Sequence, residues 1–273
     1  MKQTYLIYFF IVLIVLFLAL VGFLVWNDKP TAETLSVTNK SIGKPEEEPV
    51  YPKVSNYEVP ILMYHYIRIA PEGDTLGQNL SVTPTNFASQ MQWLKENNYT
   101  TLNLSDLADP NKKEISRIIS DKKKPIIITF DDGYEDAYTN AWPILKENGF
   151  NGTFFIIRNF VGRVEYMNQN QIDILSKAGM KIGSHSLSHP SLEKASDTDQ
   201  RTQIFDSKES AQTFCYPAGK YNDMTIALLK KAGYSAAVTT QPGIADENSS
   251  LFELPRVRMQ DGDGEYLKKK LTL

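Results

Sequence analysis

From Tyr5 to Trp26 the chain carries no charged residue. This run of Leu, Ile, Val and Phe meets the roughly 20 residues that a bilayer-spanning helix needs. Tyr5, Tyr8 and Trp26 at its ends suit the membrane interface. A signal peptide would have an apolar region of about 7–15 residues followed by a small-residue cleavage site. Neither feature is present, so residues 1–27 predict a retained transmembrane anchor. Lys2 and the terminal amine precede the span, which predicts a cytoplasmic N-terminus and an exported remainder. Over residues 28–57 the composition shifts to Thr, Ser, Lys, Glu and Pro, including Lys44-Pro-Glu-Glu-Glu-Pro49. Such a stretch buries too little apolar surface to offset its ordering entropy and predicts a flexible extracellular linker.

Residues 58–273 show apolar runs alternating with segments of helical period. Val59–Tyr64 reads as a buried strand with His65 at its end. Thr83-Pro84 supplies an N-cap and a first-turn proline for a helix carrying Phe87, Met91 and Leu94 up to Asn97. Thr100–Leu104 reads as a short strand and Pro125–Phe130 as a strand buried on both faces. Glu135–Asn148 reads as a helix closed by Gly149, and Thr153–Ile157 as a strand. Then come a helix over Gln169–Ala178 ending at Gly179, a strand over Met180–Ser184 and another over Thr213–Tyr216. A helix over Asp223–Ala232, a strand over Tyr234–Thr239 and a last strand over Glu253–Met259 complete the series. Repeated βα units predict an α/β domain with a parallel sheet, open or closed into a barrel, and functional groups at the C-terminal strand ends.

Composition narrows the class. With 273 residues, 42% hydrophobic and 22% charged, the chain can bury one sizeable core or two small ones. A net charge of -3 and a pI near 5.7 show no basic footprint for nucleic acid. Cys215 is the only cysteine, which excludes an intrachain disulfide and a cysteine-rich zinc site.

The chemistry gathers where strands end. Ile126–Phe130 stops at Asp131-Asp132-Gly133-Tyr134. Adjacent side chains on an extended backbone point different ways, so one acid could hold a metal while the other handles a proton. Two of the three histidines lie in Ser184-His-Ser-Leu-Ser-His189, directly after a predicted strand. A helix would put such a pair on one face. Pro190 argues against a long helix there, and a tight turn would serve equally well. With one carboxylate, His185 and His189 make a His₂-carboxylate set that leaves a coordination position open. A divalent ion there would polarise a carbonyl and lower the pKa of water, and the second aspartate could act as general base. His65, on the same rim, is the candidate proton donor for a leaving amine.

Thr129-Phe-Asp-Asp-Gly133 and His185-Ser-Leu-Ser-His189 resemble the first two motifs of the polysaccharide deacetylases, carbohydrate esterase family 4, also called the NodB homology domain. The resemblance covers about Pro60 to Arg258. It implies a distorted (β/α) barrel of about seven strands and a metal-dependent N- or O-deacetylase. It also assigns Asp131 as catalytic base and Asp132, His185 and His189 as metal ligands. The third motif, commonly Arg-x-Pro-Tyr-Gly, is altered here to Cys215-Tyr-Pro-Ala-Gly219. A backbone N–H among Tyr216, Pro217 and Ala218 keeps the implied oxyanion role, because it survives side-chain replacement. The missing arginine leaves Asp131 without its expected partner. Arg256 could substitute from another strand, although an ordinary surface arginine is the plainer reading. Val59–His65 resembles the branch that deacetylates poly-N-acetylglucosamine, in which the motifs are circularly permuted and the acid histidine comes early; this makes His65 the general acid.

The expectation is therefore a single-pass cell-membrane enzyme with its catalytic domain outside, using a divalent ion, most simply Zn²⁺, to remove acetyl groups from an N-acetylated polysaccharide. It is expected to act as a monomer and to bind no nucleic acid. An O-acetyl (xylan-type) esterase and a weakly catalytic glycan-binding pseudoenzyme stay open. Tyr64, Tyr66, Tyr134, Tyr138 and Tyr221 could stack on sugar rings, with Tyr134 and Tyr221 the favoured contacts.

Overall fold

The computed structural model describes residues 51, 52 and 54–272. The predicted anchor and most of the predicted linker lie outside the described residues. Among the described residues no helix is long and apolar enough to cross a membrane.

The strands are β1 (Glu58–Val59), β2 (Ile61–Tyr64), β3 (Tyr99–Thr101), β4 (Lys124–Phe130), β5 (Thr153–Ile156), β6 (Lys181–Ser184), β7 (Thr213–Cys215), β8 (Ala236–Pro242), β9 (Ala245–Asp246) and β10 (Leu254–Arg258). Seven of them close a parallel barrel in the order β2-β10-β8-β7-β6-β5-β4, with β4 returning to β2. The central strand β4 pairs with β2 along one edge, and on its other edge with β3 over its first half and β5 over its second. The predicted strand Val59–Tyr64 is divided at Pro60, which has no N–H to give a ladder. Val59 before it pairs antiparallel with Ala245 of β9, and Ile61–Tyr64 after it enters the barrel.

Alternation along the strands sets the layers. Ile61, Ile127, Phe155, Cys215, Val238 and Leu254 form one buried cluster that fills the barrel lumen. The intervening Ile126, Ile128, Phe130 and Phe154 face outward into a second cluster with residues of the helices. By the same period of two, Thr129 and Asp131 share the lumen side with Ile127. Gly183 of β6 makes room for this filling, since a Cβ there would lie 2.4 Å from the Phe155 ring.

The helices are α1 (Thr75–Leu80), α2 (Pro84–Glu96), α3 (Lys113–Ser120), α4 (Trp142–Asn148), α5 (Gln169–Lys177), α6 (Asp197–Phe205), α7 (Asp223–Ala232) and α8 (Gly264–Leu271). Thr83 caps α2 through its side chain, and Gly149 closes α4 at φ +74°, as their residue types predict. The expected helix over Glu135–Asn148 is regular only in α4; Ala137–Ala141 forms a wider π turn. The expected strand Thr100–Leu104 ends at Thr101, because Asp106 accepts from the Asn103 N–H and turns Leu104–Ala108 into a 3₁₀ segment. The chain is already tied to the domain before β1: the Val54 N–H donates to Ser116, and the Tyr57 N–H donates to Glu247.

Candidate active site

Most of the predicted site residues sit at or just beyond the C-terminal ends of barrel strands. His65 follows β2, Asp131 and Asp132 follow β4, His185 follows β6, and Tyr216–Ala218 follow β7. The Asp131 N–H continues the parallel ladder by donating to Tyr64 at 2.9 Å, and the His185 N–H does the same to Ile156 at 2.9 Å. The strand framework therefore fixes where these backbones stand.

Asp132, His185 and His189 converge. Asp132 Oδ1 lies 3.3 Å from His185 Nε2 and 3.5 Å from His189 Nε2. For bonds of about 2.0–2.1 Å, the edge of a coordination tetrahedron is roughly 3.3–3.4 Å, so the spacing suits one ion. His185 Nδ1–H donates to the Cys215 carbonyl at 2.7 Å, which leaves Nε2 as the lone-pair nitrogen facing Asp132. Asp132 adopts φ +72° and His189 φ +62°, left-handed values uncommon for any residue but glycine, though aspartate and histidine enter them more readily than most. Strained backbone of this kind clusters at functional sites.

Asp131 faces the lumen and meets Arg256. That side chain is 1% exposed, so it is no surface arginine. Its two Nη atoms each lie 2.7 Å from one Asp131 oxygen, a bidentate pair. Nη1 also donates to Thr129 Oγ at 3.0 Å, Nε to the Thr239 carbonyl at 2.7 Å, and Nη2 to Cys215 Sγ at 3.3 Å. All five donors of a fully buried guanidinium thus have acceptors. Arg256 occupies from β10 the place left by the altered third motif, with Cys215 small enough to admit it. Period-two alternation was the available signal, because Arg256 shares its strand face with the lumen residue Leu254. Asp131, His185 and Cys215 also lie close enough to share an ion, but the guanidinium already contacts both Asp131 oxygens and the thiol.

Electrostatics separate the groups. Burial alone would raise the Asp131 pKa, but the Arg256 charge and hydrogen bonds outweigh it and hold the carboxyl well below its usual range. Burial likewise works against Asp132 as an anion, and His185 reverses it, so Asp132 is also lowered. His65 Nε2 is 3.8 Å from Asp131 Oδ2, beyond a direct hydrogen bond, and burial lowers its pKa against the pull of both aspartates. His189 is lowered by burial and then by His185.

At the third motif the backbone donors can be counted. Tyr216 N–H donates to Val238, Pro217 has none, and Gly219 N–H donates to Tyr216. The Ala218 N–H has no partner among the described residues, and Ala218 holds φ +51°. The Tyr216 ring is buried, with its hydroxyl on the Phe252 carbonyl.

The tyrosines divide. Tyr64 is wholly buried with its hydroxyl on Gln90 at 2.6 Å, which removes it as a sugar platform. Tyr134 is 9% exposed and stacked on Tyr66 at 3.7 Å, which covers one face of its ring. Tyr138 stacks on Trp142, and Tyr221 stacks on Tyr216 with its hydroxyl near Glu253.

A family model described as polysaccharide deacetylase matches residues 119–237. YxkH of Bacillus subtilis (strain 168), whose name carries the same description, is 34% identical over 217 residues, covering 75% of this chain and 72% of that one. The chain belongs to the polysaccharide deacetylase family. The deacetylase is also 29% identical over 218 residues to a poly-beta-1,6-N-acetyl-D-glucosamine N-deacetylase of Staphylococcus aureus (strain MRSA252), covering 71% of this chain and 72% of that one. Among solved structures, the Streptococcus pyogenes deacetylase PplD in complex with acetate superposes with a TM-score of 0.69 at 32% identity, over 79% of this chain and 99% of that one. The family assignment makes the chain a hydrolase, and the closed parallel barrel agrees with the fold expected from the motifs.

Proposed function

We propose that the chain is a metal-dependent N-deacetylase of a cell-surface N-acetylglucosamine polymer, poly-N-acetylglucosamine or peptidoglycan, and that it releases acetate. The observation that carries this is the pairing of an ion-sized donor set, Asp132, His185 and His189, with a neighbouring carboxylate that Arg256 keeps ionised. A divalent ion on those three ligands would polarise the acetyl carbonyl and lower the pKa of water. Zinc suits two imidazoles and a carboxylate, and such a set admits other divalent transition ions. Asp131 takes the proton of the attacking water as general base. The unpartnered Ala218 N–H donates to the oxygen that gains charge in the tetrahedral state. His65, whose Nε2 stands 3.8 Å from Asp131 Oδ2, protonates the departing amine.

Support for an N-acetylglucosamine polymer comes from the name of the staphylococcal relative and from the early position of His65. The acetate in the PplD complex agrees with acetate as product. We read residues 1–27 as a single-pass anchor and 28–57 as an extracellular linker, on the strength of the uncharged run Tyr5–Trp26. The deciding experiment is acetate release from peptidoglycan, poly-N-acetylglucosamine, chitin oligomers and acetylated xylan, before and after chelation and metal restoration. Release from an N-acetylglucosamine polymer that stops on chelation is expected. Release from xylan alone would make the chain an O-acetyl esterase, and binding without release a pseudoenzyme.

A further inference from the structure

The turn that carries His189 is held from outside the barrel by one side chain of α6. Gln203 Oε1 accepts from the Leu187 N–H at 3.1 Å and the Ser188 N–H at 3.0 Å, and its Nε2 donates to Ser188 Oγ at 3.0 Å. The carbonyls of Ser186 and Leu187 accept from the N–H groups of Arg158 and Asn159, at 3.1 and 2.9 Å. The His189 N–H donates to Ser186 Oγ at 3.0 Å. Ser207, just past α6, donates to the Gln203 carbonyl at 2.7 Å and lies 2.8 Å from the Ser184 hydroxyl.

The turn needs such fastening. Ser186 and His189 both hold left-handed backbones, at φ +63° and +62°. A residue with a Cβ gives up roughly 1–2 kcal/mol in that region, so a free turn would relax away from it. The two histidines also depend on the turn unequally. His185 is 2% exposed and fixed by β6 and the Cys215 carbonyl, whereas the His189 side chain is 32% exposed and, among the described residues, its ring is hydrogen-bonded only to its own backbone. Its place beside Asp132 is set by the backbone that presents it.

We propose that Gln203 is the positioning residue of the metal site. Its amide oxygen holds the Leu187–Ser188 backbone so that His189 Nε2 faces Asp132 before any ion arrives. The proposal rests on the metal reading given above. Groups that orient metal ligands typically change affinity by 10–100-fold.

The test is Zn²⁺ binding to the apo protein, measured by competition with a chromophoric chelator, beside thermal unfolding of each apo variant. Gln203→Met keeps length and helix propensity but removes the acceptor, and is expected to raise the Kd about tenfold while the variant stays folded. Gln203→Glu keeps an acceptor oxygen and is expected to bind within about threefold of wild type. Thr202→Met places the same side chain at an exposed position of α6 and leaves the Kd unchanged. A Gln203→Met Kd matching wild type overturns the proposal, and so does a Gln203→Glu loss as large as that of Gln203→Met. No Zn²⁺ uptake by the wild type overturns the metal reading and this proposal with it.

Discussion

On one side of the site Asp132, His185 and His189 come from two strand ends and a turn, partly open to water, and their donor atoms stand apart as if around an ion. On the other side Asp131 is closed in by Arg256, 125 residues further along the chain, which crosses the lumen to reach it. The first side presents three donor atoms at spacings that suit a cation. The second already contains its cation, built into the fold. Loss of a group should therefore act on chemistry on the first side, and on stability as well as chemistry on the second.

The largest expected effect belongs to the ligand side. Asp132→Ala should abolish ion uptake and lower acetate release on the order of 10⁴-fold, several kcal/mol of barrier, with only a small change in Tm. A large fall in Tm, or full turnover without bound ion, would erase the contrast. On the other side, Arg256→Met leaves a buried carboxylate without its partner and should cost about 3–5 kcal/mol of folding stability in urea titrations. Combining it with Asp131→Asn should restore most of that stability and none of the activity; if the double variant is as unstable as the single, lumen packing rather than charge is what Arg256 supplies.

A half-buried carboxylate nearby in the sequence sharpens the comparison. Asp136 accepts from the Ile67 N–H at 3.1 Å but has no bidentate guanidinium, and burial pushes its pKa up to about 6. A carboxyl with a raised folded pKa binds its proton more tightly in the folded state. Its contribution is therefore fully present below about pH 4 and lost as the pH rises through about 6, up to roughly 3 kcal/mol. Asp131, lowered by Arg256, has the opposite sign: its contribution is present at neutral pH and lost only in strong acid. Asp136→Asn should accordingly be more stable than wild type at pH 7.5, with the advantage shrinking at pH 4.5 by urea unfolding. An unchanged difference between the two pH values would contradict this. The smallest effect is expected at Tyr134, whose stacked ring offers little to a sugar: Tyr134→Phe should change kcat/KM by less than about threefold, roughly the weight of one exposed hydrogen bond.

The same contrast explains what could be read from residues alone. β2, β4, β5 and β7 are buried almost throughout and β6 in its second half, the ends of β2, β4 and β6 carry His65, Asp131, Asp132 and His185, and both the runs and the end residues are local patterns. The side with the candidate ligands was legible for that reason, because Asp132, His185 and His189 lie in two short motifs. The Asp131–Arg256 pair was legible only as the less plain of two readings of Arg256, since it depends on the register that sets β10 beside β8 and β2 across the closed barrel. An arginine in Leu254-Pro-Arg256 looks like surface until that closure is known. Helices α1, α3, α6 and α8 are not among the predicted elements, and with α6 goes Gln203, whose partners Leu187 and Ser188 are recognisable only once α6 is placed beside the turn. Pro60 broke a run that hydrophobicity alone would continue, because a missing N–H does not show in an apolar pattern.

The central claim is that ion holding and proton handling are separate tasks of adjacent aspartates. It is tested most directly by Asp131→Asn, assayed for acetate release from N-acetylglucosamine oligomers at a measured metal content. A fall of about 10²–10⁴-fold with the ion still bound is predicted. Undiminished turnover at equal metal content would contradict the assignment of Asp131 as base.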